Sequence, residues 1–447
     1  MNWDWSLDGW IVATGILCAI ASALLGNFLV LRKMSMLGDA VSHAILPGIA
    51  IAFFVSQSRN SLPMFAGAAI AGVLTAMFTE WIKRFGRVDE SASMGVVFTS
   101  LFAAGLVMVV QAADKVDLDA GCVLYGAIEL TPNEEPIILL GYELPPAFCV
   151  LLVVAIVNAA FVAMFYKELK ITSFDAATAD SMGISSRKMH YSLMVLVAVT
   201  AVAGFESVGN ILVVAMFIVP PATAYLLTRR LHVMILLSVC IAIASAVSGH
   251  WMAIHAPRWI GYGSTTTAGM MATMSGVLFS LAFLFSPEQG LIVQFWQRFS
   301  MSLGILSDDI VALLYRVEER GGTLELNPKT ITRTILRKEL FSSRVMLRLA
   351  LWRLALNHEI QLVSDRPTLL DAGRLRATKL VRSHRLWEQY LVTESVAGTD
   401  RIHQSAEKLE HFTDRQLRDR LDESMDGPEV DPHGTVIPSE RGPSNKS

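Results

Sequence analysis

The sequence has few cysteines and lacks two motifs that mark common enzyme classes. Its four cysteines, Cys18, Cys122, Cys149 and Cys240, form no CxxC pair, so we expect neither a disulfide nor a zinc knuckle from them. A GxxxxGK(S/T) phosphate loop is absent, which excludes a P-loop ATPase. The HExxH motif is absent as well, and this disfavours an intramembrane metalloprotease.

Charge is scarce in the first part of the chain. Charged residues make up 17% of the sequence and hydrophobic residues 53%, and mean hydropathy is positive. Long apolar runs dominate from residue 10 to about 287, whereas charge is dense from 288 to 447. The start MNWDWSLD lacks the basic residues of a secretory signal, so we expect no cleavable signal peptide. This composition predicts a membrane part followed by a soluble part.

Nine segments are long and apolar enough to cross a bilayer, for which a helix needs about 20 residues. They are 10–31, 37–57, 63–83, 93–112, 146–166, 188–204, 207–228, 231–250 and 265–286. The stretch 118–130 could be re-entrant, so we expect eight or nine spans. Basic residues near Arg32, Lys83, Lys167 and Arg229 alternate with acidic connections, which predicts an outside N-terminus and a cytosolic C-terminal part.

Beyond residue 287 the apolar periodicity is that of amphipathic soluble helices. The predicted helices are 305–319, 327–337 and 342–357, followed by a short wing at 361–370 and by helices at 371–394 and 399–424. Three helices and a wing in this order are typical of a winged helix-turn-helix. We expect the tail from 439 to 447 to be disordered.

Asp39 and His43 are ionisable residues inside the second predicted span. They are four residues apart, so they share one face of a helix, and burying them without a partner is costly. A carboxylate and an imidazole together suit Mn²⁺, Fe²⁺ or Zn²⁺. Alternatively, Asp39 caps the helix near the headgroups and His43 bonds a neighbouring backbone group, and spacing alone leaves both interpretations open.

Other polar residues of the apolar part are weaker candidates. Glu206 and Asn210 precede VVAMFIVPP and either line the same path or lie at the outer interface. His250 is the last residue of the eighth span and His255 follows it, and we expect both to be surface residues of an outer loop.

The soluble part contains the densest set of metal-ligand residue types in the chain. They are His384, Glu388, His403, Glu407, Glu410 and His411. Their spacing lets two neighbouring helices direct several O and N ligands to one point. A set rich in carboxylate and without thiolate favours Mn²⁺ and Fe²⁺ over Zn²⁺ or Cu⁺. The alternative is a charged surface helix pair without a metal.

Three motifs resemble the metal-type ABC permeases, which import zinc, manganese or iron: FLVLRKMSMLGDAVSHAILPGIAIAF, KELKITSFDAATADSMGI and SVGNILVVAMFIVPPATAYLLT. The resemblance covers about 10–290. It implies a multi-pass protein of the bacterial inner membrane, surrounded by lipid and paired with a second permease chain of the same or another sequence. It further implies a separate ABC ATPase and an extracytoplasmic metal-binding protein.

The same resemblance implies that 168–185 contains the coupling helix that docks into the ATPase. The candidate coupling residues are Glu168, Phe174, Asp175 and Gly183.

SHRLWEQYL, the HxxxExxEH pattern of 403–411 and DPHGTVIP at 431–438 resemble the diphtheria-toxin-repressor and manganese-regulator family. The resemblance covers about 305–438. It implies a primary ligand set of Asp309, His384, Glu407, Glu410 and His411, and an ancillary set of His384, Glu388 and His403. Ala312 stands where manganese-type members carry a second carboxylate, so the number of ions stays open.

The predicted fold class is an all-α polytopic membrane bundle with a cytosolic, mainly α domain. The predicted domains are a transmembrane permease domain (1–290), a winged-helix-like domain (300–375), a metal-binding and dimerisation domain (376–438) and the tail. The basic residues of SSRVMLRLALWRLALN are Arg344, Arg348 and Arg353, and DNA binding leans on many phosphate contacts. We therefore expect a non-enzymatic metal permease with a sensing domain, and keep a membrane-anchored metal-dependent transcriptional regulator as the alternative.

Overall fold

The computed structural model describes residues 3–34, 36–56, 61–113, 128–139, 142–261, 265–287, 289–319, 332–363, 366–394 and 399–439. They belong to two compact units, Met1–Gln294 and Phe295–Ser447. Within the described residues, nine helical segments are long and apolar enough to span a membrane, and the predicted number of spans is thereby confirmed. Residues 118–127 of the re-entrant prediction and 440–447 of the predicted tail lie outside the described residues.

The helices of the first unit are α1 (Asp8–Leu31), α2 (Leu37–Ala44), α3 (Leu46–Ser56), α4 (Ser61–Gly86), α5 (Glu90–Ala113), α6 (Pro146–Met164), α7 (Tyr166–Phe174), α8 (Ala176–Ser181), α9 (Ser186–Val208), α10 (Asn210–Leu227), α11 (Leu231–Ile260) and α12 (Thr267–Phe285). A short 3-10 helix, Ile128–Asn133, precedes an antiparallel pair of strands, β1 (Ile137–Leu139) and β2 (Tyr142–Leu144).

Helix α1 lies at the centre of this bundle. It is apolar on every side, as expected of a helix with no face to solvent, and packs against α6, α9, α10 and α11. Two buried amides connect neighbouring helices: Asn27 donates to the Ser238 hydroxyl at 2.7 Å, and Asn158 donates to that of Thr200 at 2.8 Å. Such interhelical hydrogen bonds hold helices together where apolar burial distinguishes little between lipid and protein.

The second predicted span is divided into α2 and α3, with the break at Ile45. Pro47 lies in the first turn of α3, where its missing N–H costs nothing, and a proline disfavours helical backbone at the residue before it. Pro47 therefore accounts for the division of this span into two helices.

The expectation that His250 lies in an outer loop is wrong. Helix α11 continues to Ile260, and His250 is only 2% exposed. Its Nε2 lies 3.1 Å from the Asp8 carboxylate at the start of α1. His255 also lies in α11, with Nδ1 2.8 Å from the carbonyl oxygen of Trp251. The apolar run ends at residue 250, but the helical backbone does not.

The elements of the second unit are α13 (Leu291–Glu319), α14 (Arg333–Glu339), α15 (Arg344–Leu356), β3 (Ile360–Val363), β4 (Arg366–Leu369), α16 (Asp371–Glu394), α17 (Thr399–Glu410) and α18 (Arg415–Ser424). Strands β3 and β4 are antiparallel, with Ile360 opposite Leu369. The helix predicted from 305 begins at Leu291 instead. The first residues of the helix predicted at 327–337 lie outside the described residues.

The single helix predicted at 399–424 is wrong, because α17 and α18 are separate. Asp414 caps α18 by accepting a hydrogen bond from the backbone N–H of Leu417 at 2.8 Å, an interaction that favours a new helix start. Helix α17 consequently ends at Glu410, and His411 follows its last turn.

Close approach of α3 and α4 depends on two glycines, and this gives a testable expectation. A Cβ at Gly48 would overlap the carbonyl oxygen of Gly67, and one at Gly67 would overlap that of Gly48. Gly48→Ala should therefore destabilise the purified full chain by roughly 1–3 kcal/mol, as overpacking does, and lower its thermal unfolding midpoint in detergent.

Gly95→Ala in α5 is the matched control, because a Cβ there meets nothing within 4 Å. Alanine favours helix over glycine, so the control midpoint should stay or rise. Equal midpoints for the two variants would contradict the packing argument.

Candidate metal centre

Three helices of the second unit bring carboxylates and imidazoles together. His384 and Glu388 lie one turn apart on α16 and are almost fully buried. Glu410 is the last residue of α17, and Asp309 lies on α13. Among the described residues, two groups have ligand atoms that all lie within 4.8 Å of one another: His384, Glu388 and His403, and Asp309, Glu410 and His411. We call them the first and the second cluster.

Glu388 is the centre of the first cluster. One of its carboxylate oxygens, Oε1, lies 3.2 Å from His384 Nε2 and 2.6 Å from His403 Nδ1. The two ring nitrogens are 3.3 Å apart. The His403 side chain is 52% exposed, so this cluster opens to solvent on one side.

His411 is the centre of the second cluster. Its Nε2 lies 3.3 Å from Asp309 Oδ1 and 3.9 Å from Glu410 Oε1. Its Nδ1 lies 3.4 Å from Asp308 Oδ2, and Asp308 is held in turn by Arg376 at 2.6 Å. Asp308 thus orients the ring from behind, as carboxylates commonly do for metal-binding histidines, and Nε2 faces the other two ligands.

His384 links the two clusters through its two ring nitrogens. Its Nε2 faces Glu388, and its Nδ1 lies 2.6 Å from Glu410 Oε2. Glu410 also lies 3.6 Å from Arg316. One imidazole is therefore shared by carboxylates of both clusters, as expected of two neighbouring sites.

The electrostatics of the centre are those of buried anions that need a positive partner. Burial disfavours the charged form of Glu388, but the hydrogen bonds from His384 and His403 lower its pKa to about 2. Burial likewise disfavours a protonated His384, but Glu388 and Glu410 outweigh it and raise the His384 pKa. At His411, hydrogen bonds to Asp308 and Asp309 overcome burial and raise the pKa to about 10.

Sequence reasoning and structure differ at three ligand candidates. Glu407 is exposed and, among the described residues, belongs to neither cluster. Asp308 was overlooked, although it directly precedes Asp309 on the same helix. His433 was overlooked too: its Nε2 lies 3.9 Å from Glu388 Oε1, and its place in DPHGTVIP was the available signal.

In the first unit, α2 lies well inside the bundle. A Cβ at Gly38 would be 3.1 Å from the ring of Phe217, and one at Gly72 would be 3.1 Å from Val41. Phe217 and Gly72 lie in the middle turns of α10 and α4, so Asp39 is at mid-level and half-buried. His43 is on the same helix, but its side chain lies outside the described residues.

Glu206 and Asn210 are not at the level of Asp39. Asn210 begins α10 and is buried, seven residues or about 10 Å before Phe217 along the helix. Glu206 is exposed near the end of α9. The structure therefore does not bring these two residues together with Asp39.

The predicted coupling segment consists of two short helices, α7 and α8. Asp175 lies between them and caps α8 through the backbone N–H of Thr178 at 3.0 Å. Phe174 is 64% exposed, Gly183 has a φ of 83°, and Glu168 is half-buried on α7. Phe174, Asp175 and Gly183 thus lie on an exposed surface of the first unit.

The shared imidazole makes a prediction about stoichiometry. His384→Ala in the purified full chain should weaken Mn²⁺ binding at both clusters, because both of its ring nitrogens face ligand carboxylates. His403→Ala should affect the first cluster alone, and Asp309→Ala the second. Calorimetry with Mn²⁺ measures both affinities, and Glu423→Gln, exposed on α18, is the control. Loss of a single site in His384→Ala would refute a shared ligand.

Mn²⁺ affinity should also rise with pH. A metal binds only the neutral imidazole, and the His411 pKa of about 10 means that its ring is protonated at neutral pH without metal. At pH values below that pKa, each proton that Mn²⁺ has to displace makes the Mn²⁺ affinity rise about tenfold per pH unit. Titration between pH 6 and 8 in a non-chelating buffer checks this, and an affinity independent of pH over that range would contradict it.

Two protein families match separate parts of the chain. The ABC 3 transport family matches residues 8–286, and the iron dependent repressor, metal binding and dimerisation domain matches residues 370–439. Both resemblances inferred from the motifs are thereby confirmed.

Individual proteins show the same division. The chain is 43% identical over 290 residues to the manganese transport system membrane protein MntD of Bacillus subtilis (strain 168), which covers 65% of this chain and 95% of that relative. It is 25% identical over 445 residues to a probable metal transport system membrane protein of Chlamydia trachomatis serovar D, covering 96% and 95%.

Among solved structures, PsaBC from Streptococcus pneumoniae in complex with Fab is similar with a TM-score of 0.52 and 29% identity, over 63% of this chain and 92% of that one. The family match, which covers more than half of the chain, and the nine candidate spans among the described residues identify a membrane protein of a transport family. The chain belongs to the ABC 3 transport family and carries a C-terminal metal-binding and dimerisation domain of the iron-dependent repressor type.

Proposed function

We propose that the chain is the permease subunit of an importer that moves a divalent transition metal inward, and that its second unit senses the same metal. The proposal rests on one observation. The described residues of this chain combine nine candidate membrane spans with a buried carboxylate–imidazole centre. Relatives named for manganese and for zinc transport support this class of metal. The ligand types of the centre favour Mn²⁺ or Fe²⁺.

The transport path follows α2. Asp39 at mid-level, with His43 one turn later, offers a carboxylate and an imidazole to a passing cation. Two permease chains that pair around a central path, either two copies or sister chains, would provide four such ligands. Glu206 and Asn210 would contribute to the path at another level of the bundle.

A separate ABC ATPase docks on α7 and α8 and drives transport. An extracytoplasmic metal-binding protein delivers the metal to the permease. A short exposed helix pair between long spans can transmit ATPase closure as rigid-body motion. This arrangement requires the second unit to be cytosolic and the bundle to lie in a bacterial inner membrane. The alternation of basic and acidic connections supports that orientation.

The second unit regulates uptake. When cytosolic metal rises, it occupies the clusters around His384 and biases the paired second units toward an arrangement that slows transport. A ligand shifts a conformational equilibrium only through its differential affinity for the two states. The exchange of the His411 proton for metal, together with metal contacts at His384, is the local event that supplies this difference.

A membrane-anchored transcriptional regulator is the second candidate, and the surface of α15 disfavours it. This helix exposes Val345, Trp352 and Leu356, each more than half accessible, beside Arg344 and Arg348. A DNA-reading helix needs many phosphate contacts, whereas an apolar exposed face fits protein association. We therefore favour sensing and pairing over operator binding.

Uptake of radioactive Mn²⁺ in cells that also express the ATPase of the same system tests both halves of the proposal. Asp39→Asn should lower initial uptake more than tenfold at low internal metal, because it removes the mid-level charge. A Glu410→Gln/His411→Ala double variant should keep the initial rate, but its uptake should no longer fall after cells are preloaded with Mn²⁺.

The controls are Asp89→Asn, an exposed carboxylate before α5, and Glu423→Gln on α18, and neither should change uptake or feedback. Normal uptake by Asp39→Asn would refute the transport path. Inhibition by preloaded metal that persists in the double variant would refute the sensor while leaving the permease role intact.

A further inference from the structure

A cavity of about 700 Å³ in the first unit has an excess of positive charge. It lies where α1 and α4 end and α9 begins. Five basic side chains line it: Arg32, Lys33, Lys83, Arg84 and Arg187. Among the described lining residues Glu80 is the only carboxylate, and it is already paired with His190 Nε2 at 3.3 Å. A cavity with this lining attracts an anion.

Arg32 is half-buried in the wall of this cavity and has uncharged partners. Its guanidinium donates to the Thr172 hydroxyl at 2.7 Å and to the Ser173 hydroxyl at 3.1 Å. In the part of the chain that the structure describes, these hydroxyls are its side-chain partners, and burial lowers the pKa of Arg32 to about 10. A desolvated guanidinium is usually paired with a carboxylate or a phosphate, so an anionic partner fits here.

Lys33 lines the same cavity from a strained backbone position. Its φ is 61°, in the left-handed region, and the turn is closed by Met34 N–H donating to Leu29 O at 2.8 Å. Glycine is the usual residue at such a helix end, and a residue with a Cβ is strained there. A strained residue that retains a cationic side chain is characteristic of a functional position.

The cavity lies at the ends of membrane spans. Arg32 directly follows the α1 span, Lys83 and Arg84 are in the last turns of α4, and Arg187 is in the first turn of α9. These positions correspond to the depth of lipid headgroups, where basic residues bind anionic lipid. We propose that this cavity binds the phosphate of an anionic phospholipid headgroup, with Arg32 and Lys33 as its principal contacts.

Bound phosphate would connect the ends of α1 and α4 with α7, since Thr172 and Ser173 of α7 already hold Arg32. A lipid would thereby stabilise the position of α7 in the bundle. Lipid binding at this cavity would be independent of the transported substrate. Inorganic phosphate presents the same chemistry, and the experiment has to separate the two sources.

Native mass spectrometry of the full chain in neutral detergent tests the proposal. Phosphatidylglycerol should be retained in preference to phosphatidylcholine. Lys33→Gly should weaken phosphatidylglycerol binding about fivefold, from the roughly 1 kcal/mol that one basic residue contributes near a membrane surface. Because glycine relieves the strained φ, this variant should unfold at the same or a higher temperature than the original chain.

Arg32→Gln should weaken binding about tenfold or more, as for a charge-assisted hydrogen bond. Arg230→Gln is the matched control, because it removes a charge at another span end outside the cavity, and it should leave the affinity unchanged. Lys33→Gly keeps the test decisive if Arg32→Gln fails to fold. Affinity equal to that of the original chain in folded Lys33→Gly overturns the proposal. Displacement of the lipid by millimolar inorganic phosphate, or equal retention of both lipids, overturns the lipid assignment.

Discussion

Buried carboxylates that require a positive partner organise the second unit. Glu388 and Glu410 are 3% and 4% exposed, and unpaired charges at such positions would be strongly destabilising. In the metal-free chain the imidazoles of His384 and His411 are their positive partners, and these contacts raise the pKa of both rings. A divalent cation bound by the same oxygen and nitrogen atoms would compensate them equally well, while the His411 proton leaves. The geometry that keeps the metal-free protein folded is thus also a ligand geometry.

The same requirement fixes the surroundings of α16. Arg385 pairs with Glu319 of α13 at 2.5 Å and approaches Asp431 at 3.6 Å. Arg382, one turn earlier, bonds Asp422 of α18 at 2.7 Å. Helices α13 and α18 and the segment that carries His433 are therefore held to one helix by ion pairs. A change of charge inside the clusters acts on residues that neighbour these pairs directly, which gives a local perturbation a route to neighbouring elements.

Local patterns in the sequence predicted most of the fold, and tertiary contacts account for the errors. Hydropathy was sufficient for the nine spans, because a lipid-exposed backbone has to satisfy its hydrogen bonds as helix. It could not predict that α11 continues past His250, since the Asp8 contact joins residues far apart in sequence. The residue types of the metal centre were predicted, but not that Glu407 lies outside both clusters or that Asp308 contacts His411, because helical periodicity gives the face of a residue and not its neighbour across the interface. The surroundings of Asp39 were open for the same reason, because the packing of the neighbouring Gly38 on Phe217 joins residues far apart in sequence.

The proposed feedback has a thermodynamic limit that the clusters can meet. To slow transport tenfold, bound metal has to favour the inhibited arrangement by about 1.4 kcal/mol, which is a tenfold ratio of metal affinities between the two arrangements. One ligand gained or lost at a cluster is enough for a difference of this size, since outer partners of metal ligands alone change affinity about 10–100-fold. Two clusters that share His384 divide the requirement, so that a threefold ratio at each would suffice. We propose that the ligand gained or lost is Glu407, implied as a ligand by resemblance but exposed here, or His433, whose ring lies 3.9 Å from Glu388. A sensor of this kind needs only a short movement of one or two side chains to act on the permease to which it is covalently joined.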